Sequence, residues 1–224
     1  MDINQFKSLS EAFEVTGHGK SLGKPSKMPG FSTSLPAMAC KTGARLRKVK
    51  GSVCEKCYAF RGNYGTPSVQ KGLSRRLAAL SDSRWAPAMA RLISHYTKSE
   101  DPYFRIHDSG DFQLVEHVLR WVSIARCLPW VKFWAPSKEY GMFRKAQKQV
   151  KAAGRDWPEN LVIRLSAPMI GQAGLNRWRK DGTLYSTVDA GSGHGCPAPT
   201  QDNECGPCRA CWDRSVQSVD YHRH

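Results

Sequence analysis

The sequence predicts an α/β protein in which parallel βαβ units form a partial (β/α) barrel-like core, followed by an irregular cysteine-rich C-terminal tail. Three observations carry that reading. Strand-like and helix-like runs alternate between residues 103 and 169. Each strand-like run ends in a polar loop, where parallel α/β folds place their ligands. Beyond residue 170 the pattern breaks into the Gly-rich segments GQAG and DAGSGHG, which lead to closely placed cysteines. At 224 residues the chain is long enough to bury a core, so its cysteines are not needed as substitutes for one.

Taken in order, residues 1–30 read as an irregular basic arm, because TGHGKSLGKPSKMPG is dense in Gly, Ser, Lys and Pro. The GHGKS within it is not a phosphate loop, since the position that must be Gly is Glu14. Residues 31–170 form the α/β core, with a cysteine loop at its start. Residues 68–97 read as two amphipathic helices, Pro87 standing near the start of the second. YFRIHDSGDF is a strand with Phe104 and Ile106 on one face, and the following run carries Val115, Val118, Leu119 and Val122 at helical spacing. VKFWAPSKEY is the second strand, and MFRKAQKQVKAAG is a helix closed by Gly154. LVIRLSAPM is the third, with Leu161, Ile163 and Leu165 alternating. Residues 171–224 form a metal-binding tail.

The strand ends are predicted to converge on one mouth. They carry His107, Asp108, Ser109 and Asp111, then Ser137 and Lys138, then Ser166. His107, Asp108 and Lys138 are the candidates for catalytic groups. Tyr58, Ser109, Asp111 and Ser166 are the candidates for contact with a bound cofactor. The alternative for Asp111 is that it caps the next helix.

The net charge of +15 implies an anionic partner, nucleic acid foremost, with a host protein as the other choice. Between Lys41 and Arg61 the cations Arg45, Arg47, Lys48, Lys50 and Lys56 face one acid, Glu55; a solvated loop is the competing account. No signal-peptide pattern and no apolar run of membrane length is visible, so a cytoplasmic location without membrane contact is expected. In that compartment grouped thiols bind metal more often than they form disulfides.

Cys127 falls within a predicted helix and reads as a buried small hydrophobe. The other seven cysteines form two groups. Cys196, Cys205, Cys208 and Cys211 make C-x8-C-x2-C-x2-C. That run suits a 4Fe–4S cubane, because each thiolate reaches a different iron, and it recurs in bacterial ferredoxins. Zinc is the alternative, although four-thiolate zinc sites usually pair two C-x2-C hairpins. Cys40, Cys54 and Cys57 make C-x13-C-x2-C with Tyr58 directly after. Three thiolates on a cubane leave one iron open to an outside ligand, the arrangement radical S-adenosylmethionine enzymes use. Their first interval is three residues where this one is thirteen, a departure that bears on cofactor cleavage.

LPAMAC, CEKCYAFRGNY, FRIHDSGDF and the strand ending near APSK together resemble the bacteriophage Gene product 88 family, over roughly residues 18–170. More distantly, the C-x2-C-Y-A element is similar to phage proteins related to radical S-adenosylmethionine enzymes. The matching positions are Cys40, Cys54, Cys57, Tyr58, His107, Asp108, Gly110 and Asp111. The resemblance implies an iron–sulfur protein acting in the host cytoplasm. Three functions stay open on the sequence: a radical S-adenosylmethionine-like enzyme binding a small anionic or amino-acid-like ligand, a non-catalytic iron–sulfur redox or regulatory protein, and a zinc-stabilised nucleic-acid-binding protein.

Overall fold

The computed structural model describes residues 1–223. Seven strands, β1 (Phe31–Ser32), β2 (Tyr103–Arg105), β3 (Lys132–Ser137), β4 (Leu161–Ser166), β5 (Tyr185–Val188), β6 (His194–Gly195) and β7 (Ser218–Tyr221), form one sheet. Their order is β1-β2-β3-β4-β5-β7-β6, and every neighbouring pair is parallel. The helices are α1 (Leu9–Thr16), α2 (Lys41–Leu46), α3 (Pro67–Ala79), α4 (Trp85–Tyr96), α5 (Val115–Cys127), α6 (Tyr140–Ala152) and α7 (Asn176–Lys180).

The first five strands lie side by side in chain order. Right-handed crossovers between such strands send every connecting helix to the same face. The side chains agree. Phe104, Phe133, Ala135, Leu161, Ile163 and Leu165 join α1, α4, α5 and α6 in one apolar core. Their neighbours Trp134 and Val162 point the other way, as the period of two requires, and pack with Trp212 from the tail. The helix-free face, which would line the interior of a closed barrel, is thus covered by the cysteine-bearing tail. The sheet stays open, with β1 and β6 as its edges. The predicted parallel βαβ architecture is present, as an open sheet.

The local signals hold where the alternation is long enough to read. Pro67 opens α3, and Pro87 lies in the first turn of α4. Gly154, at φ 66°, closes α6 as expected, its amide bonding to the Lys151 carbonyl at 2.9 Å. In the segment read as an irregular arm, residues 9–16 instead form α1, capped by the Ser8 hydroxyl, which accepts from the Glu11 amide at 3.2 Å. In the tail, β5, β6 and β7 join the core sheet. They span only two to four residues each, too few for alternation to show against the surrounding glycines.

Candidate functional site

Cys40 stands immediately before α2, and Cys54 and Cys57 follow on the turn that brings the chain back, with the Cys57 amide bonding to the Cys54 carbonyl at 3.3 Å. The thirteen-residue interval is therefore a short helix and a return, which places Cys40 beside the C-x2-C turn. Gly43 faces both: a Cβ there would stand 3.7 Å from the Cys40 and Cys54 sulfurs and 3.1 Å from the Cys40 Cβ. The glycine leaves that room free.

The carboxyl ends of β3 and β4 hold this loop. Glu139, two residues past β3, accepts from the Thr42 amide at 2.7 Å and the Thr42 hydroxyl at 3.1 Å, so its carboxylate caps α2. Beyond β4, the Val53 amide bonds to the Pro168 carbonyl at 2.9 Å and the Ile170 amide to the Gly51 carbonyl at 3.0 Å. Two predicted residues join the thiols there. Asp111 is buried, accepting from the Ser137 hydroxyl (2.7 Å), the Phe112 amide (2.8 Å) and the Lys138 amide (2.8 Å). Burial pushes its carboxyl up to about 6 against those bonds. Lys138 faces Cys54, Asp111, Cys57 and Cys40, and burial lowers its ammonium from the ordinary lysine range while those groups hold it up. Burial pushes the Cys40 thiol up to about 12, with Asp111, Cys57, Cys54 and Glu139 adding to the rise. Cys54 is raised by burial and opposed by Lys138.

Except for Tyr58, which adjoins Cys57, the other candidates are held by groups other than these thiols. His107 is 2 % exposed and packs against Phe112 (4.8 Å between ring centres) and His117 (5.2 Å) in the helix-side core. Its φ of 62° is left-handed, and among the described residues neither ring nitrogen has a hydrogen-bond partner. Asp108 accepts from the Ser32 hydroxyl at 3.0 Å, and its Oδ1 is buried without a partner among the described residues. The Ser109 hydroxyl donates to the Leu35 carbonyl at 2.9 Å, and Gly110 (φ 80°) passes so near Leu35 that a Cβ would stand 2.6 Å from the leucine Cβ. Tyr58 lies between Cys57 and Asp108, donating to the Asp108 carbonyl. The Ser166 carbonyl accepts from the Tyr140 hydroxyl, and its own hydroxyl accepts from Ser186 at 3.1 Å. HDSGD thus braces the β1–β2 end, and only Asp111 of that motif reaches the thiols.

The tail thiols form the second group. Cys205 is raised by burial and then by Cys196 and Cys208, and Cys211 is pushed up to about 11 by burial, with Cys196 and Cys205 adding to the rise. The Cys211 sulfur is 3.1 Å from the Tyr221 hydroxyl, and the Cys208 sulfur is 3.4 Å from His194 Nε2. The brace of this loop is Arg164, on the helix-free face of β4. Fully buried, it donates to the carbonyls of Ala210 (2.8 Å), Cys211 (3.1 Å), Asp213 (2.8 Å) and Gln217 (3.2 Å). Arg105 lies between the groups. It donates to the Tyr58 hydroxyl at 3.3 Å, stacks on Trp134 at 4.9 Å, and acts on Cys205. The sequence reading missed Arg105, Glu139, Arg164 and Tyr221. A lone charge inside an apolar run, such as Arg164 in LVIRLS, was the one available signal.

All eight cysteines are free. Among the described residues no three His, Cys, Asp or Glu side chains are grouped so as to hold a single metal ion, and no helix is long and apolar enough to cross a membrane. The fold and site thus define a class: an open parallel α/β protein, its first five strands in chain order, with one thiol group at its strand ends and another held on its helix-free face. More particularly, the chain belongs to the Gene product 88 family, whose family model matches residues 7–214. No curated protein and no solved structure matches it.

Proposed function

We propose that the chain is a phage iron–sulfur protein, with one centre of open coordination on Cys40, Cys54 and Cys57 and one closed centre on Cys196, Cys205, Cys208 and Cys211. A single observation carries this reading: cysteines from separate stretches of chain come together in two free-thiol groups, each with a cation beside it. The donor chemistry fits. Thiolate is the chemistry of iron–sulfur ligation, and the members of a cubane's donor set reach different irons, so they need not converge on the point a single ion requires. A bound 4Fe–4S cluster would supply one-electron chemistry and, at an iron without a protein thiolate, a position for a small ligand.

The chain's own residues then have distinct tasks. Lys138 offsets the repulsion among the gathered thiolates and offers its ammonium to an anionic group at the open side. Glu139 fixes α2, and with it Cys40. S-adenosylmethionine, with its carboxylate and amino group, is the ligand to try first, and a radical S-adenosylmethionine-like reaction is the enzymatic form of the proposal. The non-catalytic form is a redox or regulatory protein. One observation favours zinc in the tail: His194 beside Cys208 adds an imidazole to the thiols.

Anaerobic purification followed by assay of iron, zinc and labile sulfide tests this. Iron with sulfide is expected, and Cys54→Ser and Cys205→Ser should each lose one centre and keep the other. Colourless, sulfide-free protein overturns the proposal. Zinc bound at the tail, with iron and sulfide at the triad, replaces the second centre only. In the reduced protein, S-adenosylmethionine should alter the electron paramagnetic resonance signal that Cys54→Ser abolishes. An unaltered signal assigns the protein to the redox or regulatory form.

A further inference from the structure

We infer that the face formed by α6 and α7 binds the phosphodiester backbone of nucleic acid. This goes beyond the iron–sulfur reading and does not depend on it. The short helix α7 reads NRWRK. Its one buried side chain, Trp178, is fully enclosed against Tyr140 (5.2 Å between ring centres) and Tyr185 (5.9 Å). That anchor turns Arg177, Arg179 and Lys180 outward, and all three are exposed. Among the described residues none of the three side chains makes an ion pair or donates a hydrogen bond. Natural surfaces usually intersperse such charges with acids. The nearest acid, Asp181, is taken by Arg144 at 2.9 Å.

The adjoining helix extends the charge. Phe143, Ala146 and Val150 bury one side of α6, so Gly141, Arg144, Lys145, Lys148 and Lys151 lie along the opposite one. Residues 140–155 contain five cations and no acid. Between the helices lies a cleft of about 400 Å³ lined by Tyr140, Gly141, Arg144, Leu165, Arg177, Trp178 and Asp181. It is wide enough for a phosphate and its sugar, and Arg177 stands free at its rim to take the phosphate in a forked contact. Tyr140, on its floor, feels Cys54, so the cleft adjoins the strand-end thiol group.

Two other anionic partners fit less well. Membrane docking and protein docking both use apolar or aromatic side chains, inserted into lipid or buried at the interface centre. The exposed large hydrophobic residues are Met1, Met38, Val49, Tyr58, Leu114 and Trp130, and none belongs to α6 or α7. A surface of cations without an apolar anchor suits a partner recognised by charge alone. The Lys41–Arg61 run serves this purpose less well, because Arg47 is stacked on Phe60 at 3.7 Å and Arg45 donates to Thr42 at 3.2 Å.

The test compares the wild-type protein with Arg177→Gln/Arg179→Gln/Lys180→Gln, which retains Trp178. The comparison set is Lys7→Gln/Lys20→Gln/Lys98→Gln, three exposed lysines on the α1–α4 side. Binding of a labelled single strand of about 20 nucleotides is followed by anisotropy between about 50 and 200 mM salt. Each lost phosphate contact lowers the slope of log affinity against log salt by about 0.7, so the α7 variant should lose about two units and bind about tenfold more weakly or worse. The comparison set should change the slope little. Equal losses in both sets, an unchanged slope in the α7 variant, or α7-dependent binding of polyglutamate or anionic vesicles with none of the strand overturns the proposal. An unchanged melting temperature in the variant excludes misfolding as the cause of a loss.

Discussion

Arg164 shows how one side chain ties the tail to the core. A guanidinium buried inside a β-strand is costly to desolvate, and here the carbonyls of Ala210, Cys211, Asp213 and Gln217 take four of its five N–H groups. Those same bonds fix the backbone on either side of Cys211. Arg164→Leu removes every donor and leaves the carbonyls without their buried partner, which is expected to cost about 3 kcal/mol by denaturant unfolding. The same variant should raise the alkylation rate of Cys205, Cys208 and Cys211 above that of Cys40, Cys54 and Cys57. An even change across both groups would mean that the bonds do not position the tail loop. His107 is the opposite case at this scale. It looked like a catalytic group in HDSGD, but its left-handed backbone turns the imidazole into the core between Phe112 and His117.

Among the elements, α2 has the most to gain from its surroundings. It is six residues long and makes few bonds of its own, far too few to be stable in isolation. Its start is held by the Glu139 carboxylate, which comes from beyond β3 and was invisible to any local capping rule. Glu139→Ala should destabilise the protein by about 0.5–2 kcal/mol, the range of lost helix caps. It should also speed reaction of Cys40 with a thiol reagent without affecting Cys208. Unchanged reactivity at Cys40 would show that the loop is held by Pro168 and Gly51 alone. The strands of the tail make the same point from the other side. Tyr185–Val188 and Ser218–Tyr221 pair along their full length, yet four residues of each give too short an alternation to read.

For the whole molecule, the buried histidines are expected to make stability fall as the pH drops below their ordinary range. Burial lowers His18 to about 3 and His117 to about 3, and holds His107 well below its ordinary value, with His117 and Arg105 adding to that fall. Unfolded histidines protonate near 6.5, so on the acid side of that value the unfolded chain takes up protons the folded one refuses. The stability these groups provide is present above about pH 6.5 and is lost as pH falls towards 3. Asp111, raised to about 6, works against this by one proton between its ordinary value and 6. Three histidines less one carboxyl leave a net difference of about two protons, on the order of 3 kcal/mol per pH unit near pH 5. Urea unfolding at pH 5.0 and 6.5 measures it, and His117→Gln, which keeps an acceptor for the Trp121 indole (3.1 Å), should reduce the slope by about one proton. A stability that is flat over this interval would mean that the imidazoles are solvated in the folded state.

The parallel α/β class, the helices of the core, and the division of the cysteines into two groups were all determined by the sequence itself. Each rests on periodicity or spacing within a few consecutive residues: Leu161, Ile163 and Leu165 at period two, the valines of α5 at helical spacing, thiols every third residue from Cys205 to Cys211. Tertiary structure decided what those groups stand beside. It laid the tail on the helix-free face through Arg164 and Trp212, brought Lys138, Asp111 and Glu139 to Cys40, and sent His107 into the core. It also turned three cations of α7 outward on one buried tryptophan. The physical reason is range. Periodicity and capping report how a segment meets its immediate neighbours along the chain, whereas burial, ion pairing and the sharing of a carbonyl depend on groups that only folding brings within a few ångströms.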